Sequence, residues 1–137
     1  MSRFPGLRRR RLSPELARAR ERFRAVLADV EAAIGLLTQA APTTRYDGRP
    51  LGEVLAEFED GLLAARDGMG SWRAPEVEEE WAGCLAALEE ARARVDRLRA
   101  EAPALHGFEA IIGTIDRLIA PLDAFEVAAE RFDALRR

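Results

Sequence analysis

The feature of this sequence that most constrains its fold is a seven-residue apolar repeat that restarts four times, with proline and glycine between the runs. Apolar residues within each run recur at steps of three and four, which places them on one face of a helix. The four stripes are Leu16, Ala19, Phe23, Val26, Val30, Ala33 and Leu37; Leu51, Leu55, Phe58, Leu62 and Ala65; Val77, Trp81, Cys84, Leu88, Ala91, Val95 and Leu98; and Phe108, Ile111, Ile115, Leu118, Leu122, Phe125, Ala129 and Phe132. The pattern predicts an all-α fold without β-strands.

The first helix has clear start and stop signals. Ser13-Pro14-Glu15 is typical of a helix start, because the serine hydroxyl accepts from an unpaired amide and proline has its φ angle preset. Pro42 cannot donate to the helical hydrogen-bond ladder. We therefore expect the helix to end near Ala40 and residues 41–50 to form a loop.

The second helix is expected to be shorter than its neighbours, starting near Pro50 and ending near Gly68 or Gly70. Gly61 lies inside this helix, where glycine costs about 1 kcal/mol relative to alanine. Such a glycine is explained if another helix packs closely against it.

The remaining prolines predict the bounds of the third and fourth helices. The third helix is expected to open around Pro75 and to end before Pro103, and the fourth to begin between Ala104 and Phe108. Pro121 lies within the fourth helix and should kink it. Because short connections place sequential helices antiparallel, we expect an up-down-up-down antiparallel four-helix bundle.

Length and composition indicate one folded domain. With 137 residues, 48% of them apolar, the chain can bury a core without metals or disulfides. Residues 1–12 read as a flexible, arginine-rich arm and residues 13–137 as a single helical-bundle domain. No apolar run approaches the roughly 20 residues of a transmembrane segment, and no secretory signal is visible. A single cysteine, Cys84, favours a reducing, cytoplasmic location.

Residues that could carry catalysis or bind a metal are scarce. His106 is the sole histidine, and no acidic residue interrupts the apolar stripes. A di-iron bundle would need Glu-x-x-His pairs that project inward. Cys84 falls on the apolar stripe of the third helix and is expected to be a buried thiol. We therefore expect no catalytic residue, no metal and no cofactor, and hence no enzyme.

Two charge patterns on the later helices are expected to be solvated. Glu90 and Arg94 have the i,i+4 spacing of an ion pair worth a few tenths of a kcal/mol. Acidic residues recur every seven positions along the fourth helix: Glu109, Asp116, Asp123 and Glu130.

The unusual feature is a charge asymmetry. Residues 1–24 hold nine arginines against two glutamates, a net of +7, and the other 113 residues hold 12 arginines against 22 acids, a net of −10. Positive charge near a helix start opposes the helix dipole. The Glu76–Glu80 cluster of the same chain or an external polyanion could offset it. The candidate contact residues are Arg8, Arg9, Arg10, Arg11, Arg18 and Arg22.

The sequence is compatible with three functions. The heptads favour a non-enzymatic bundle that associates with a protein partner or with itself as a homodimer. Tyr46 and Trp72 lie off the stripes, in expected loops, and exposed aromatics favour interfaces. The alternative is a nucleic-acid-associated protein that uses the Arg-rich segment 3–24. A second alternative is a small-ligand-binding bundle with a pocket at the Pro121 kink.

Overall fold

The computed structural model of the chain describes residues 12–47, 51–101 and 108–136. These residues form helices and short connections, and no strand occurs among them. The α-helices are α1 (Pro14–Asp47), α2 (Leu51–Asp67), α3 (Glu78–Glu101), α4 (Phe108–Ile119) and α5 (Ala124–Arg136). Short 3₁₀ turns occupy Met69–Trp72, Pro75–Val77 and Ala120–Asp123. The all-α prediction is confirmed. The predicted fourth helix corresponds to α4, the 3₁₀ turn at Pro121 and α5.

The start of α1 is capped as expected. The backbone N–H of Leu16 donates to the Ser13 hydroxyl at 3.1 Å, and the N–H of Ala17 donates to the Ser13 carbonyl at 2.8 Å. The first bond satisfies an amide that a helix leaves unpaired at its first turn, and the second is the first i→i−4 hydrogen bond of the helix. Leu12, which the sequence assigned to the arm, is half-buried and packs against the core. Residues 1–11 of the predicted arm lie outside the described residues.

The predicted end of α1 is wrong, because the helix continues through Pro42 to Asp47. A proline inside a helix removes one backbone hydrogen bond at a cost of about 3 kcal/mol. That cost favours an end without requiring one, since the bonds on either side of the gap can continue the helix. Residues 41–47 are therefore helical rather than a loop, and residues 48–50 lie outside the described residues.

α2 is short, as expected: it has 17 residues against 34 in α1. Gly61 of α2 and Gly68, the residue after this helix, lie directly against α1. A Cβ atom placed on Gly61 would come within 2.8 Å of the Cβ of Ala33, and one on Gly68 within 2.8 Å of a methyl of Val26. The predicted close packing at Gly61 is confirmed.

The core is apolar throughout the described residues, with no polar or charged side chain buried. Every stripe residue whose side chain is described is buried, except Trp81 and Ala129, which are half-buried and pack against the core. Ala128 is buried in place of Ala129. Both alanines lie within one turn of Phe125, so periodicity alone does not separate them.

An aromatic cluster joins three parts of the chain. The Phe23 ring of α1 lies 4.8 Å from the Trp72 ring, in an edge-to-face arrangement, and 5.2 Å from the Phe132 ring of α5. Phe125 stacks on Phe23 at 6.4 Å. Such pairs add to the energy of burial. The cluster connects the first helix, the turn after α2 and the last helix.

The prediction that Trp72 is exposed is wrong, since its side chain is completely buried. The segment was expected to be a loop, but Met69–Trp72 forms a 3₁₀ turn. Residues three apart in a 3₁₀ turn lie on the same side, so Met69 and Trp72 both point into the core. Trp72 is therefore a core residue and offers no surface to a partner.

Candidate functional site

The described members of the predicted arginine surface lie on α1. Arg18 and Arg22 are four residues apart, which places both on one face of the helix, and both are exposed. Within the described part of the chain, neither forms an ion pair or a hydrogen bond. Arg8, Arg9, Arg10 and Arg11 lie outside the described residues. Tyr46 belongs to α1, and its side chain also lies outside them.

Neutralisation of the α1 arginines by Glu76–Glu80, one of the two possibilities left open by the sequence, does not occur among the described side chains. Arg20 pairs instead with Asp133 of α5, with 3.6 Å between Nη2 and Oδ1. Glu78 is engaged by Arg73, five residues before it, through bonds of 2.7 and 3.0 Å. This bidentate contact lowers the pKa of the Glu78 carboxyl. The α1 arginines therefore keep most of their positive charge exposed.

Arg73 also lies over an aromatic face. Its guanidinium carbon is 4.1 Å from the centre of a Trp81 ring. The Trp81 indole N–H donates to the carbonyl of Met69 at 2.7 Å, which holds the ring in place. These contacts hold the connection between α2 and α3 in place. They also pair Arg73 with Glu78.

Cys84 is inert in this fold. Its side chain is completely buried, and its thiol lies 3.5 Å from the carbonyl of Ala124, to which it donates. Burial, with a smaller contribution from Glu80, raises the pKa of the thiol to about 12. A thiol that holds its proton is a poor nucleophile and a poor metal ligand. The expectation of a core thiol is confirmed.

A second cationic site, which sequence reasoning missed, lies between α3 and α4. Its side chains surround a cleft of about 280 Å³. The lining residues are Arg94, Arg97, Leu98, Thr114, Arg117 and Leu118. Three guanidinium groups thus converge from two helices, with leucines beneath them.

Hydrogen bonds hold this cluster in place. Arg94 donates through Nε to Glu90 Oε2 at 2.8 Å and through Nη1 to the carbonyl of Arg117. Arg97 Nη2 reaches the same Glu90 oxygen at 3.3 Å, and Arg117 Nη2 lies 3.3 Å from the hydroxyl of Thr114. Arg94, followed by Arg97, lowers the pKa of the Glu90 carboxyl. The predicted Glu90–Arg94 pair is confirmed.

Convergence of Arg117 on that pair depends on how α3 packs against α4. Periodicity places Arg94 and Arg97 on α3 and Arg117 on α4, but it does not give the level at which the two helices meet. The sequence shows that both helices carry arginines. It does not show which arginines lie at the same level, because that depends on how the two helices are aligned against each other.

Other kinds of site have no support within the described ranges. No three histidine, cysteine, aspartate or glutamate side chains lie close enough together there to hold a metal ion. His106 lies outside these ranges. The described helices include none with the length and apolarity needed to cross a membrane.

Comparison with known proteins returns no match: no protein-family model, no curated protein and no solved structure is similar to this chain. Functional inference therefore depends on the side chains themselves.

Proposed function

We propose that this chain is a non-enzymatic helical-bundle protein that acts by associating with another protein, and that the N-terminal half of α1 makes the contact. The observation that carries the proposal is the pair Arg18 and Arg22, which are exposed and unpaired within the described residues. Among the described residues no polar or charged residue is buried, so the proposal places recognition on the surface.

The electrostatics of α1 favour an acidic partner. Arg18 and Arg22 lie beyond the first turn of α1, where the helix dipole has little effect, so the unfavourable energy comes from repulsion between arginines on one face of the helix. An acidic protein surface would offset this repulsion. Arginine is enriched at protein interfaces.

A groove of about 140 Å³ lies between α1 and α5, on a different face of α1 from Arg18 and Arg22. Its lining contains both charges, because Arg20 pairs there with Asp133. The groove therefore adds no charge in favour of an acidic partner, and the proposed contact depends on Arg18 and Arg22.

The test compares three forms of the chain. Arg18→Gln with Arg22→Gln removes the proposed contact, and Arg66→Gln with Arg136→Gln removes the same charge from exposed positions elsewhere. Sedimentation across a dilution series measures self-association, and capture from nuclease-treated extract measures binding to other proteins.

A protein, or a second copy of the chain, that binds the unmodified and control forms but not the Arg18/Arg22 variant supports the proposal. Equal binding to all three forms, or binding to none, refutes it. Binding that disappears on nuclease treatment favours the alternative, a nucleic-acid partner reached through segment 3–24.

The same proposal includes the arrangement of the helices as an up-down-up-down antiparallel bundle. Its support is that contacts between α1 and α2 run in opposite directions along the two helices: Ala33 lies against Gly61, and Val26 against Gly68. The Arg20–Asp133 pair joins the first part of α1 to the last turn of α5, as an antiparallel arrangement of these two helices requires. The 3₁₀ turn at Ala120–Asp123 supports a kink at Pro121. The cytoplasmic location expected from the sequence also stays part of the proposal.

A further inference from the structure

We propose that the cleft between α3 and α4 binds the dianionic phosphate group of a small molecule. The inference uses Arg94, Arg97 and Arg117, none of which belongs to the α1 surface, and so it does not rest on the proposed function.

The charge balance of the cleft calls for an anion. Arg94, Arg97 and Arg117 carry three positive charges, and Glu90, which is hydrogen-bonded to two of them, carries one negative charge. The remaining charge of about +2 lies where guanidinium groups repel one another. A phosphate monoester dianion matches this charge, whereas a monocarboxylate leaves half of it unbalanced.

The hydrogen-bond balance gives the same result. Each guanidinium has about five N–H donors. In the described structure, those of the cleft reach one carboxylate oxygen, one backbone carbonyl and one hydroxyl. Donors exceed acceptors, and phosphate oxygens are the acceptors that arginine contacts most effectively.

The cleft is also organised before any ligand arrives. Arg94 is held at Nε by Glu90 and at Nη1 by the Arg117 carbonyl, so its guanidinium plane is set by both helices. Binding to a fixed donor loses less side-chain entropy than binding to a free one. Arg97, whose side chain is 64% exposed, lines the solvent side of the same cleft.

The size and the apolar lining limit the ligand. The volume of about 280 Å³ lies just below the roughly 300 Å³ at which ligand pockets begin. Leu98 and Leu118 line the same space. A phosphate carrying a compact apolar substituent therefore fits better than a nucleotide.

Calorimetric titration at low salt tests the inference with three probes: phenyl phosphate, inorganic phosphate and benzoate. We expect the unmodified chain to bind phenyl phosphate saturably, with a Kd at or below about 1 mM. Arg97→Gln with Arg117→Gln should weaken binding at least about tenfold, while Arg66→Gln with Arg136→Gln should leave it unchanged. Circular dichroism checks that each form is folded.

If the double variant does not fold, Arg97→Gln alone decides the question, because among the described residues this exposed side chain forms a single hydrogen bond, to Glu90. It should weaken binding about threefold.

Tighter binding of phenyl phosphate than of inorganic phosphate assigns a phosphate monoester. Equal binding of these two probes keeps the phosphate site and assigns free phosphate. Benzoate binding as tight as phenyl phosphate, an unsaturable signal, or equal affinity in the cleft and control variants would overturn the inference.

Discussion

Replacing Gly61 by alanine tests a close contact between α1 and α2. The added Cβ would lie 2.8 Å from the Cβ of Ala33, 3.7 Å from its Cα and 3.8 Å from the carbonyl oxygen of Asp29. Carbon atoms in contact prefer about 3.5–4.0 Å. The helices α1 and α2 must therefore separate by about 1 Å, which loosens the packing around the contact.

Two effects of opposite sign decide the result. Alanine improves helix propensity by about 1 kcal/mol relative to glycine, whereas overpacking costs about 1–3 kcal/mol. We expect Gly61→Ala to lower the free energy of unfolding by about 1 kcal/mol. The matched control is Gly83→Ala on α3, where nothing lies within 4 Å of the new Cβ. That change should raise the free energy of unfolding by about 0.5–1 kcal/mol.

Urea denaturation, which gives the free energy of unfolding of each variant, is the assay. Ala33→Gly supplies the reciprocal change, because it removes the Cβ that the new side chain would meet. In the double variant the clash disappears, so the two substitutions should show a favourable coupling of about 1–2 kcal/mol. A Gly61→Ala variant as stable as Gly83→Ala, or a coupling near zero, would refute the proposed steric cause.

The core position of Phe58, the Cys84 thiol, the Glu90 carboxyl and the segment before Leu12 each allow a separate test. Phe58→Ala should lower the free energy of unfolding by about 2–5 kcal/mol through lost burial and a cavity, as measured by urea denaturation; a loss below about 1 kcal/mol would contradict its core position. Cys84, with its raised pKa, should react with a thiol reagent at pH 8 only as fast as the protein unfolds, and prompt labelling of folded protein would disprove its burial. Carbon-detected NMR titration should find the pKa of Glu90 below the ordinary glutamate range, and Arg94→Gln should return it toward that range; the stabilisation from this contact is present above the unfolded pKa and is lost as pH falls through the lowered one. Deletion of residues 1–11 should leave the melting temperature nearly unchanged, and a large fall would make the segment structural.

Helix starts were predictable from local chemistry, whereas one helix end was not. Ser13 and Pro14 open α1 as expected, since capping depends on residues adjacent in sequence. The end of α1 depended on whether the helix could bridge Pro42, which is a balance of several interactions along the chain. Local rules give the free-energy cost of Pro42 within a helix. They do not give the stabilisation that the surrounding helical residues supply against that cost.

The candidate sites also divide into features that local sequence predicts and features that depend on packing between distant parts of the chain. Exposure of Arg18 and Arg22 follows from their positions off the apolar stripe. Trp72 lies outside any heptad, and its burial depends on the 3₁₀ turn that brings it to Phe23. The cleft at Arg94 requires the packing register of two helices, which no periodicity in either helix contains.

The aromatic cluster and the Arg20–Asp133 pair also have a consequence for the order of folding. Phe23 and Phe132 are separated by more than a hundred positions in the sequence, so their contact closes a loop that contains most of the chain. The helices α1 and α2, in contrast, are consecutive in the sequence. Closing long loops costs more entropy, and contacts between distant residues slow folding. We expect α1 and α2 to associate early and α5 to complete the domain last. Until α5 arrives, Phe23 remains exposed on one side, so the partly folded chain presents an aromatic surface that the native protein does not.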